Sequence, residues 1–201
     1  MTLRTNSLIA CVISALCALT IAGCGSKDPN ASLEPLESLY PHVYFADYPC
    51  AEGYTSEYRL VDMTVAQVVE EMDAGRSFVV LTGFKDCPWC NAILNSFNDV
   101  LTERGIYAAY IDTRKDPEWQ SNLDLADYDL FVERFGSALP VDDEGRPHLY
   151  VPHAFFVSDG KLVADRSGTV PGQQSPKDPL TDEQVEEYKS AVNANLDAIG
   201  I

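Results

Sequence analysis

Phe78-Val79-Val80-Leu81-Thr82-Gly83-Phe84-Lys85-Asp86-Cys87-Pro88-Trp89-Cys90 is the stretch that decides how this chain folds. Phe78 to Leu81 is apolar without alternation, which predicts a strand over residues 77–84 buried on both faces. After Cys90, the residues Ile93, Leu94, Phe97 and Leu101 recur at helical spacing, and Gly105 stops the helix. A buried strand, then C-x-x-C, then a helix is a dithiol redox layout. At a helix start, unpaired backbone N–H groups and the positive end of the dipole point at the first cysteine. They favour its thiolate, the nucleophile of disulfide exchange. Pro88 suits the first turn, where no backbone donor is needed. Cys87 is therefore read as the exposed attacking thiol and Cys90, one turn in, as the resolving thiol.

The N-terminus carries the second signal. Residues 1–6 hold one positive charge, Arg4, and residues 7–22 are apolar and uncharged. That stretch is short for a membrane span and reads as the apolar core of a signal peptide. It ends in Ile21-Ala22-Gly23-Cys24, which resembles the lipobox of bacterial lipoproteins. The expected organisation is a lipoprotein signal peptide over 1–23, then a tether and N-terminal extension over 24–57. A folded domain follows over 58–201. Cys24 is the expected lipid attachment point, and the expected location is the extracytoplasmic face of a bacterial cell membrane.

The chain has 201 residues, 14 basic and 31 acidic, for a formal charge of −17. Removing Arg4 with the signal makes it more acidic still. This excludes nucleic acid as a natural partner and leaves membrane attachment to the lipid. The acidity reads as a solvated surface. Cys11 and Cys17 fall in the leader, so Cys50, Cys87 and Cys90 remain beside the lipidated Cys24. If Cys87 and Cys90 pair, Cys50 is odd, either a buried free thiol or a thiol that exchanges with the site or a partner. C-x-x-C can also be half of a zinc site. The other soft ligands are only Cys50, His148 and His153, with no second C-x-x-C, so no metal and no cofactor is expected.

Gly25 to Pro35 reads as a polar tether. Residues 40–58 are aromatic-rich (Tyr40, Tyr44, Phe45, Tyr48, Tyr54, Tyr58) and are expected to pack on the domain, with an aromatic ligand surface as the other reading. Residues 58–61 predict a first strand. Thr64 with Gln67, and Thr181 with Gln184, are capping boxes that open helices. Residues 106–111 predict a further strand, giving a βαβαβ order with parallel pairing. Residues 117–135 are expected to be mostly helical within an insert spanning about 113–150, with Gly136 at the exit. Residues 142–145 read as a turn. Residues 153–157 predict a strand, joined to its antiparallel partner through Asp159-Gly160. The pairs Glu70-Glu71 and Glu186-Glu187 read as solvated helix faces.

Over roughly residues 58–200 the chain resembles thioredoxin-fold proteins. C-P-W-C after a buried strand, Val151-Pro152 before the next strand, and the Asp-Gly hairpin with a final helix carry the resemblance. It implies an α/β fold with a central mixed sheet flanked by helices. It also implies that Pro152 is cis and faces the C-x-x-C, and that Val151 offers backbone groups to a partner strand. Trp89 is either a partner-contacting rim residue or packed on its own domain. His153 either approaches the site or is a strand residue with a local hydrogen bond. Within this superfamily the chain is similar to bacteriocin transport accessory proteins. That similarity rests on Met63-Thr64-Val65, the strand into C-x-x-C, and Ile106-Tyr107…Tyr110-Ile111-Asp112-Thr113.

Two departures bear on mechanism. Leu81 stands where thioredoxins carry a buried Asp six residues before the first cysteine, and Pro-Trp replaces Gly-Pro between the cysteines. Lys85 favours a thiolate at Cys87 and Asp86 opposes it. Two function classes follow. One is a membrane-anchored extracytoplasmic thiol–disulfide oxidoreductase. Its partners would be exported proteins or peptides with thiols or disulfides, and a membrane redox protein. The other is a non-catalytic accessory or binding protein for exported peptides.

Overall fold

In the computed structural model, residues 28–115 and 120–201 are described. A short helix, α1 (Leu36–Leu39), precedes strand β1 (Leu60–Asp62). Helix α2 (Val65–Asp73) starts at Thr64, whose side chain and that of Gln67 form the expected capping box. The central strand β2 (Phe78–Gly83) leads into α3 (Pro88–Arg104), which ends on Gly105 in the left-handed region. Strand β3 (Ala108–Asp112) follows. A two-rung ribbon, β4 (Arg114–Lys115) and β5 (Gln120–Ser121), leads to α4 (Leu125–Phe135). The hairpin β6 (His153–Ser158) and β7 (Lys161–Ser167) precedes α5 (Asp182–Ile199), opened by the Thr181–Gln184 capping box.

The main sheet runs β1-β3-β2-β6-β7, with β1, β3 and β2 parallel and β6 and β7 antiparallel to their neighbours. This is the mixed sheet with flanking helices that the thioredoxin-like reading implies. Alternation along the central strands divides the core into two layers. Val79 and Leu81 face α3 and α5, packing with Ile93, Phe97, Val192 and Leu196. Phe78 and Val80 face α2 and α4, packing with Val68, Met72, Phe131 and Phe135. Both faces of β2 are therefore dry, which is why its sequence shows no alternation. The edge strand β7 alternates between exposed and half-buried positions.

The insert corrects the sequence expectation. Its helix begins at Leu125, not near residue 117, because Asp124 caps it by accepting from the Asp127 N–H at 2.9 Å. Arg114–Lys115 and Gln120–Ser121 contribute ribbon instead, and the first residues of the expected helix, up to 119, lie outside the described residues. Gly136 stands at the helix exit as expected, as the C-cap, but with a right-handed φ of −57°, and the chain continues into a 3-10 turn. Nor is α4 an appendage. Phe131 and Phe135 are fully buried and pack against Phe155 of β6, the first edge-on and the second tilted, so this helix completes one layer of the core.

The aromatic segment before β1 packs as expected, with Phe45 and Tyr48 in the core, while Tyr44 stays exposed. Glu71 departs from its reading as a solvated face. It is buried against Arg76, which follows the Gly75 turn, and the two charges neutralise each other there. Among the described residues no helix is long and apolar enough to cross a membrane.

Candidate active site

Strand β2 ends at Gly83, and a turn through Lys85 and Asp86 delivers Cys87 as the N-cap of α3. Its φ of −74° and ψ of 109° are extended, so the side chain turns back over the helix start. Cys87 Sγ accepts the Cys90 N–H at 3.2 Å. A sulfur in that position takes up one of the donors that the first helical turn leaves unpaired. The first turn of α3 holds no acidic residue, so the nearest carboxylate in sequence to the positive end of its dipole is Asp86, just before the cap. Cys87 and Cys90 form a disulfide, with α-carbons 5.2 Å apart.

The Val151–Pro152 peptide bond is cis. The Val151 carbonyl oxygen lies 3.9 Å from Cys87 Sγ. The fold thus brings four sequence-selected residues together, Cys87, Cys90, Val151 and Pro152, with half-buried Trp89 beside them on α3. One expectation needs correcting. Cys87 is not exposed; in the disulfide it is 3 % accessible and Cys90 is 6 %. The bond folds Cys87 into the first turn, and Val151 stands over its sulfur. Cys24 lies outside the described residues.

His153 is wholly buried in β6. Its Nε2 pairs with Asp165 at 2.7 Å and its ring stacks on Phe155. Burial pushes its pKa below the usual histidine value, with Asp165 opposing. It is a strand residue with a local partner. Among the described residues, no three His, Cys, Asp or Glu side chains converge on a metal-sized site.

Cys50 is a half-buried free thiol docked on α3, its sulfur 3.8 Å from the Tyr58 hydroxyl. Burial raises its pKa, only partly offset by Tyr58, which keeps it protonated and slow to react. The residues that hold it there escaped sequence reading. Asn91, Asn95 and Asn98 form one polar stripe along α3. Asn91 accepts the Cys50 N–H at 3.0 Å and donates to the Lys85 and Cys87 carbonyls. Asn95 donates to the Cys50 carbonyl and accepts from Tyr58. Asn98 accepts the Arg59 N–H and donates to the Glu57 carbonyl. Asn91 thus pins the active-site turn and the N-terminal segment to one side chain. The signal available in sequence was three asparagines at helical spacing on a helix otherwise read only for its apolar face.

No family model matches the chain, and no curated protein does. Solved structures similar to it include a proposed oxidoreductase with a thioredoxin fold, 21% identical over 55% of this chain and 83% of that one, with a TM-score of 0.40. The thioredoxin NaTrxh from Nicotiana alata is 13% identical over 73% of this chain and 98% of its own, at a TM-score of 0.42. Thioredoxin O2 from Arabidopsis thaliana in its oxidised state is 14% identical over 70% and 97%, at 0.40.

Proposed function

We propose that this protein is a thiol–disulfide oxidoreductase that works through Cys87 and Cys90, anchored outside the membrane by lipid on Cys24. The observation that carries the redox reading is the Cys87–Cys90 disulfide at the start of α3, with the Cys90 N–H on the Cys87 sulfur and Val151 beside it. In the reducing direction, the Cys87 thiolate attacks a partner disulfide. A Cys87–partner S–S bond forms, and one partner sulfur leaves as thiolate. The Cys90 thiolate then attacks Cys87 Sγ, closing the intramolecular disulfide and releasing the second partner thiolate. The partner gains two electrons and the dithiol loses them. The reverse sequence oxidises a partner dithiol. The Val151 backbone stands where an extended partner peptide would be held against the reacting sulfur. Equilibration of the full-length protein in glutathione buffers, followed by alkylation and mass measurement, tests this. The expected result is one two-electron transition assigned to Cys87 and Cys90. A pair that neither oxidises nor reduces across the whole range overturns it.

A second reading, an accessory protein for exported peptides, draws support from a groove that the insert forms next to the site. Tyr128, Arg146, His148 and Leu149 line it, together with Val151. For the anchor, the supporting feature is Ile21-Ala22-Gly23-Cys24. Cys24→Ala is expected to move the protein out of the membrane fraction or leave its leader uncleaved. Unchanged membrane retention with normal cleavage contradicts lipidation.

A further inference from the structure

We propose that the Tyr110 hydroxyl, backed by Tyr48, handles the proton of Cys90 when that cysteine resolves a mixed disulfide. The proposal rests on the redox reading above and assigns to its second step a group that the dithiol itself does not contain.

The geometry centres on Gly83, the last residue of β2. A methyl group on its α-carbon would lie 3.0 Å from Tyr110 Oη and 3.3 Å from Cys90 Sγ. Hydroxyl and sulfur therefore both border the space over the Gly83 α-carbon, which a side chain there would crowd. Tyr110 reaches it from β3, where it pairs with Leu81 of β2 in the parallel register. The surrounding core is aliphatic and aromatic, with Leu81, Ile93, Leu94 and Phe97. A phenol is costly to bury there unless it is bonded. Tyr48 supplies one bond, its hydroxyl donating to Tyr110 Oη at 3.4 Å. Because Tyr110 accepts in that bond, its own proton is left to donate. Both tyrosines line a cleft that opens to solvent, which gives a proton passed to them a route to water.

The step balances without a tyrosinate. With Cys87 bonded to the partner, the Cys90 S–H gives its proton to Tyr110 Oη. Tyr110 gives its own to Tyr48 Oη, and Tyr48 releases one to water in the cleft. Cys90 is then a thiolate that accepts from Tyr110, which in turn accepts from Tyr48. The thiolate's electron pair forms the Cys90–Cys87 bond, and the Cys87–partner bond breaks with its pair on the partner sulfur. Burial holds the Tyr110 phenol well above its ordinary value, which keeps it a neutral donor throughout. The other titratable and charged groups around the pair are His42 and Tyr44 before β1, Asp62 at the end of β1, Lys85 and Asp86 before α3, Asp112 at the end of β3, Arg114 in β4, and Cys50.

The test uses the reduced full-length protein in detergent, in a Cys50→Ser background, with dithiobis-nitrobenzoate as the disulfide. Attack by Cys87 releases one coloured thiolate and resolution by Cys90 releases a second, so the two steps appear as two phases. Tyr110→Phe is expected to leave the first phase unchanged. It should slow the second about tenfold at neutral pH, the scale of one hydrogen bond to a charged group. The pH midpoint of the second phase should rise by about one unit, the same loss in protonation terms. Tyr48→Phe should act in the same direction and less. Gly83→Ala, which sets a methyl hard against both groups while keeping both hydroxyls, should reproduce the Tyr110→Phe profile. A second phase in Tyr110→Phe with wild-type rate and midpoint overturns the proposal alone. Equal slowing of both phases also overturns it, because that marks a structural effect. A wild type with no second phase overturns the redox reading, and the proposal with it.

Discussion

Cys87→Ser is expected to lower exchange with a disulfide-bonded peptide to the background rate of a protein without thiols. The sulfur at this position is the one that caps α3 and receives the Cys90 N–H. A serine hydroxyl can accept the same hydrogen bond, so the helix start survives and the loss is chemical. Its hydroxyl stays protonated at neutral pH where a helix-start thiol does not. Cys90→Ser should behave differently. Attack by Cys87 persists, but nothing resolves the product, and the peptide stays attached as a mixed disulfide visible as an added mass. The pair of variants separates the two functional readings. If cells carrying Cys87→Ser and Cys90→Ser together keep the protein's biological role, the dithiol is incidental and the accessory reading stands.

How much of this site was legible in sequence depended on range. The strand, the C-x-x-C and the helix that follows are adjacent in the chain, and each carries its own local signal. The two capping boxes at Thr64 and Thr181 formed as read, because side chain and backbone partner lie three residues apart. The Asp159-Gly160 turn was equally local, with both residues at positive φ. Val151 and Pro152 reached the site only through a family resemblance, since 64 residues separate Val151 from Cys87. Tyr110 was not legible as a neighbour of Cys90. That meeting depends on the β2–β3 register and on the absence of a side chain at Gly83. The start of α4 was misread because Asp124 caps through another aspartate's backbone, without the Glu or Gln of a capping box. The burial of Cys87 was misread because a helix start was equated with exposure, while the segment that covers it comes from the far side of the insert.

Arg76→Ala is expected to destabilise the folded protein by about 3–5 kcal/mol, the usual cost of stranding one member of a buried ion pair. The side chains of Arg76 and Glu71 are 5 % and 10 % accessible, and Nε meets Glu71 Oε2 at 2.6 Å. Around them three parts of the chain meet. Tyr40 donates to the other Glu71 oxygen at 2.7 Å, and Arg76 Nη2 donates to the Glu34 carbonyl at 2.8 Å. The Arg76 carbonyl accepts from Gly160 in the β6–β7 turn at 3.1 Å. Burial, and then the bond to Glu71, pushes the Tyr40 phenol up to about 12, so it remains a donor over the working pH range. Removing the guanidinium leaves the Glu71 carboxylate buried with Tyr40 as its remaining side-chain donor and frees the N-terminal segment at Glu34. Arg76→Lys should recover only part of the loss, because an ammonium cannot hold Glu71 and Glu34 with one planar fork. Replacing both charges, Glu71→Leu with Arg76→Met, should restore most of the stability, since no buried charge is then left alone. Urea unfolding of the oxidised protein, followed by far-ultraviolet circular dichroism, measures all three. The double variant matters most to the argument. If it is as unstable as the sum of the single losses, Arg76 and Glu71 act through independent packing and the charge pair is not what fastens the N-terminal segment to the domain.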